Sequence, residues 1–179
     1  MRLRISLAIA VILFIPSCTS VRDNPLPQPD ENVVPSIIPT FTSTKQEAPL
    51  SNSGFADVLS VKVSGDLGSY QFAVEISSPD TGCERYADWW EVITSDEILI
   101  YRRILLHSHV TEQPFTRTGG SVDIQPDMVV YIRAHMNKSG YGGQAMVGTV
   151  LDGFKPVELE ASFASGLERI PPLPENCAF

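Results

Sequence analysis

All three histidines of the chain, His107, His109 and His135, fall in one short stretch, with Glu112 between them. Imidazole is a common ligand for zinc and copper, so His107, His109 and His135, closed by Glu112, could hold either metal. Arg103, Arg117 and Arg133 lie in the same stretch and could instead grip an anion, because guanidinium offers paired donors to carboxylate or phosphate. In the third reading the histidines are solvated strand-end residues, no cofactor is needed, and the arginines pair with Asp88, Glu91 or Glu112. A His-x-His pair does not by itself choose among these. Upstream stands Asp88-Trp89-Trp90-Glu91. Neighbours on a strand face opposite ways, so one indole should be core. The other, Trp89, could be exposed and form with Tyr86 and Tyr141 a platform for a sugar or a protein. Ser108 sits between two histidines, but that alternation turns it away from both, so no serine–histidine couple is implied. No enzymatic activity is expected.

Whether these side chains meet depends on the elements that carry them. Arg103, Leu105, His107 and His109 share one face if a strand continues that far, and Val129, Tyr131, Arg133 and His135 share a face on a later strand. Met128, Val130, Ile132, Ala134 and Met136 make the other face of that strand apolar, so Arg133 and His135 should point away from the core or to its rim. The imidazoles converge only if the two strands are neighbours in register. The rest of the chain from residue 55 also reads as strands. Leu59, Val61 and Val63 alternate, then Phe72, Val74 and Ile76, with Gly65 and Gly68 in turn chemistry between them. Trp89–Thr94 and Glu97–His107 read as a hairpin across Ser95-Asp96, and 109–120 as a polar loop. Ser121–Ile124, Met128–Met136 and Gln144–Leu151 complete the series. Short strands without strand–helix alternation indicate an all-β antiparallel sandwich. Leu159, Phe163, Leu167 and Ile170 suit a helix near 158–169 before Pro171-Pro172. The alternation of Val157, Leu159 and Ala161 leaves an extended tail open.

Cys83 and Cys177 stand far apart, and neither belongs to a Cys-x-x-Cys pair. In an oxidising compartment they should form a disulfide that pins the tail to the sandwich. The amino terminus supplies that compartment. Arg2 and Arg4 precede an apolar run, Ile5 to Ile15, that is too short for a permanent span and ends in Pro16-Ser17-Cys18, the pattern of an export signal. It resembles a bacterial lipoprotein signal: Ile15, Ser17 and Cys18 match the lipobox, which implies a signal over 1–17 and lipid on Cys18 holding the chain to a membrane. Thr19 stands where that family's inner-membrane retention signal has Asp. The resemblance therefore implies a cell-envelope address at the outer membrane or cell surface. Residues 18–54 carry six prolines and nine Ser or Thr after the cysteine, a composition unable to offset ordering entropy. They read as an extended tether, and 55–179 as the domain.

Tyr131-Ile132-Arg133-Ala134-His135-Met136-Asn137 and the glycine-rich turn after it look like the sixth strand of a fibronectin type III domain, with Trp90 as the sandwich tryptophan. That resemblance implies an immunoglobulin-like sandwich and assigns no activity. Composition narrows the partners. With 13 Lys+Arg against 21 Asp+Glu, net −8, the chain lacks the basic footprint of a nucleic-acid binder. Phosphate loops, zinc-knuckle cysteines and nucleophile elbows are missing from the sequence. The expectation is a lipid-anchored binding or envelope-interaction module with a protein or glycan partner, the alternative a metal-binding protein or metal-dependent hydrolase built on His107, His109 and His135.

Overall fold

The computed structural model describes residues 54–178. The signal, the tether and Cys18 lie outside the described residues. Eight strands run in the order β1 Asp57–Ser64, β2 Tyr70–Ser77, β3 Ala87–Thr94, β4 Leu99–Ile104, β5 Phe115–Val122, β6 Val130–Met136, β7 Ala145–Thr149 and β8 Gly153–Val157. They form a three-stranded sheet, β1-β2-β5, and a five-stranded sheet, β4-β3-β6-β7-β8, with every pairing antiparallel. The expected all-β, two-sheet architecture is what the chain adopts. Among the described residues no helix is long and apolar enough to cross a membrane.

The core lies between the sheets. Phe72, Val74 and Ile76 from β2 meet Trp90 and Val92 from β3 and Val130, Ile132 and Ala134 from β6, all buried in one cluster. Alternation along each strand puts these residues on one face, and burying each large apolar side chain contributes about 1.5–3 kcal/mol. Gly119 lets β5 close against the facing sheet. A Cβ there would stand 2.6 Å from the Tyr101 hydroxyl and 2.9 Å from the Trp90 ring, so the backbone approach needs a residue without a side chain.

Three boundaries differ from the sequence reading. The stretch 109–120, read as a polar loop, supplies most of β5; only Phe115, Gly119 and Val122 of that strand are buried, which leaves too few apolar residues to show the alternation. The β3–β4 hairpin turns through four residues, Ser95–Ile98, rather than two, because Thr94 N–H donates to the Ile98 carbonyl and Glu97 takes a left-handed conformation, φ 60°. Beyond β8 the chain forms the extended alternative: turns and one five-residue 3-10 helix, Ser165–Arg169, instead of a helix over 158–169. The tail is pinned by the Cys83–Cys177 disulfide, whose Cα atoms are 5.6 Å apart.

Candidate functional site

β3 is buried along nearly its whole length on both faces, which a strand of a two-layer sandwich achieves only if something covers its outer side. That cover is the carboxy-terminal tail. Cross-strand pairing lines up Glu91 with Arg102 on β4 and with Arg133 on β6. Glu91 is fully buried. Its Oε2 accepts from Arg102 Nε at 2.8 Å and Nη2 at 2.6 Å, and its Oε1 accepts from Arg133 Nε at 2.8 Å. The remaining guanidinium donors reach the tail. Arg102 donates to the carbonyls of Leu167, Ile170 and Pro172, and Arg133 to those of Phe163 and Ala164. One carboxylate thus orients two arginine forks, and the forks bind five backbone oxygens of the tail.

This arrangement corrects the residue set read from sequence. β4 and β6 are not neighbours; β3 runs between them. Arg103 pairs opposite Trp90 on the other face and is exposed, so it does not join Arg133. Arg102 does. Glu91 sits mid-strand between the two arginines. The two extra residues of the hairpin bring Arg102, rather than Ile100, opposite Glu91.

His135 belongs to the same covered layer, apart from the other two histidines. Its ring stacks on Trp89, centroids 3.6 Å apart and planes 7° from parallel. Its Nδ1 lies 2.6 Å from Asp88 Oδ1, and its Nε2 3.2 Å from Glu168 Oε1 of the tail. Burial holds the Asp88 carboxyl above its usual range, against the hydrogen bond and charge of His135, which pull it down. Arg102 lies over the Trp89 ring at 4.5 Å, and Arg133 over the Tyr141 ring at 3.4 Å, cation–π contacts in a desolvated layer. Burial, then the Glu91 charge, raises the Tyr141 phenol; burial, then Asp88 and Asp80, raises that of Tyr86. The aromatic platform is therefore corrected. Trp89 and Tyr86 are 3% and 4% exposed, and His135 and Arg102 cover the indole that was expected to face solvent. Beside this layer an open groove of about 450 Å³ runs between sheet and tail, lined among others by Tyr86, Asp88, His135, Asn137, Glu168 and Glu175.

His107, His109 and Glu112 form a second, separate group beyond the end of β4. One ligand-capable atom from each lies within 4.8 Å of the others. Asp80 sets this loop: its Oδ2 accepts the His109 backbone N–H at 2.8 Å, while its Oδ1 accepts from the Ser78 hydroxyl and the Ala87 N–H. The Glu112 N–H then donates to the His109 carbonyl, closing a turn. His109 is 2% exposed and stacks on Phe115 at 3.7 Å. Burial first, then Arg117 and His107, push its imidazole down to about 4, against the opposing charges of Asp80 and Glu112. Neither ring nitrogen has a hydrogen-bond partner among the described residues; Asp80 Oδ2 stands 3.8 Å from Nδ1. Glu112 is exposed and paired with Arg117 at 2.8 Å, and that guanidinium holds its carboxyl below the usual range. Asp80 and Glu168 escaped the sequence reading because each acts on residues about 30 positions away.

No protein-family model matches the chain, and no solved structure matches it. Over 93 residues it is 40% identical to a protein of Halomicrobium mukohataei named "Putative lipoprotein", a match covering 51% of this chain and 46% of that protein. The chain thus spans about half the length of the curated relative it matches.

Proposed function

We propose that this chain is an exported lipoprotein: a signal over 1–17, lipid on Cys18, a tether to residue 54, and an immunoglobulin-like sandwich over 55–179 held at the cell envelope as a binding or envelope-interaction module. The observation that carries this reading is the disulfide between Cys83 and Cys177, a bond that persists in oxidising, extracytoplasmic compartments and so agrees with a leader that ends in a lipobox-like Ile15-Pro16-Ser17-Cys18. The name of the relative points the same way. Trp90, fully buried at the centre of β3, supports the immunoglobulin-like class. The groove between sheet and tail is the concave face such a module would offer a protein or glycan partner.

Lipid on Cys18 would anchor the chain without a transmembrane helix, because several acyl chains at about 0.8 kcal/mol per buried methylene exceed the marginal hold of one. Expression with a labelled fatty acid, followed by membrane fractionation, tests this. The wild type should carry label and sediment with membranes. Cys18→Ser should carry none, and should appear in the soluble fraction or remain unprocessed. A cleaved, unlabelled Cys18→Ser protein that still sediments with membranes would overturn the anchoring.

A further inference from the structure

We propose that His107, His109 and Glu112 form a binding site for one zinc-type divalent cation, with two imidazoles and one carboxylate from the chain and a further coordination position open to solvent. Three observations carry it. The ligand atoms of the three residues already lie within 4.8 Å of one another. Both ring nitrogens of His109 are buried without a partner among the described residues, a costly arrangement that a metal would relieve at one nitrogen. The loop is held independently of any metal, by Asp80 at the His109 backbone and by the Glu112 to His109 turn.

The donor set matches the cation. Two imidazoles and a carboxylate suit zinc, and three protein ligands with an open position are a known zinc arrangement. Tetrahedral zinc at 2.0–2.1 Å from each ligand sets ligand atoms about 3.3 Å apart, so from separations within 4.8 Å the group must contract by at most about 1.5 Å. His107 and Glu112 are exposed and can adjust at the surface, Glu112 with its Arg117 partner, whereas stacking on Phe115 fixes His109. The supporting groups also fit. Asp80, 3.8 Å from His109 Nδ1, stands where a carboxylate orients a ligating imidazole through its other nitrogen. Arg117 holds Glu112 by Oε2 and leaves Oε1 for the cation. Its positive charge lowers the affinity of the site without occupying that oxygen.

His135 takes no part, since its nitrogens face Asp88 and Glu168. Full chain purified in detergent and stripped with a chelator would be titrated with zinc chloride by calorimetry, and bound metal counted by mass spectrometry. The result expected is one zinc per chain, with affinity falling at least tenfold in His107→Ala and in Glu112→Gln. Both informative variants change exposed side chains, so their melting temperatures without metal should equal that of the wild type. No saturable binding up to about 100 μM zinc, or binding that His107→Ala and Glu112→Gln leave intact, would overturn the site.

Discussion

Replacing Glu91 by glutamine keeps the shape of the side chain and removes only its charge and part of its accepting capacity. Both of its ion pairs are buried: side-chain exposure is 0% on each side of the Arg102 pair, and 5% for Arg133. Water therefore cannot replace the lost carboxylate, and two guanidinium ions would remain in a low-dielectric layer facing an amide that also brings N–H donors. Removing one partner from a buried pair costs about 3–5 kcal/mol. At roughly 3–6 °C per kcal/mol for a domain of this size, Glu91→Gln should melt roughly 9–30 °C below the wild type with its disulfide intact. The same change should loosen the tail, because the carboxylate orients the forks that hold the carbonyls of Phe163, Ala164, Leu167, Ile170 and Pro172. Thermal denaturation followed by tryptophan fluorescence gives the first quantity. The rate of tryptic cleavage after Arg169, an exposed residue of the 3-10 helix, gives the second. A loss below about 1 kcal/mol with unchanged cleavage would show that Glu91 is not the counter-ion on which tail and sheet depend.

Two further outcomes follow from the same geometry. Reduction of Cys83–Cys177, which closes a loop of sequence separation 94, should lower stability by about 4–5 kcal/mol in the chain-entropy model. Melting with and without a phosphine reductant checks it, and an unchanged midpoint would count against the bridge as a stabilising element. The second outcome concerns acid. His109 is depressed to about 4 in the folded chain against about 6.5 unfolded, so its contribution is complete above pH 6.5 and is lost as pH falls towards 4, where only the unfolded chain takes the proton. Between pH 7.5 and 5 this amounts to about 2 kcal/mol. The groups facing it are Asp80, Glu112, His107 and Arg117, and Asp88, raised by burial, works in the opposite sense. Urea denaturation of wild type and His109→Phe in chelating buffer at both pH values isolates the term. The variant should lose that much less stability on acidification, and parallel losses would refute the assignment.

The strands were legible where one face packs and the other is polar. β2 alternates Phe72, Val74 and Ile76 against Gln71, Ala73 and Glu75, and β6 alternates as clearly. β5 was not legible, because glycine takes the place of an apolar inward residue at 119. The outer layer was half legible. Sequence pattern put Arg133 and His135 on the face away from the core, as found, but gave no sign that residues 163–172 return to bury that face. Pairing of Arg133 with Glu91 and of Arg117 with Glu112 was among the readings available from charge alone. The direct pairing of Arg102 with Glu91, and the separation of His135 from His107 and His109, depended on hairpin length and strand order. Those are non-local properties that no window of a single strand contains.

The disulfide also decides how the domain would carry a load. A pull applied between residue 54 and residue 178 travels along β1 and β2 to Cys83, crosses the sulfur–sulfur bond to Cys177, and leaves through the last residue. Everything between the two cysteines, β3 through β8 and the 3-10 helix, hangs off that path as a closed loop. Unravelling β1 and β2 could release a contour of roughly 100 Å, against roughly 430 Å for the described residues drawn out in full. Glu91 with its two arginines, and the loop of His107, His109 and Glu112, lie inside the shielded loop, so tension along the chain reaches them only through side-by-side packing.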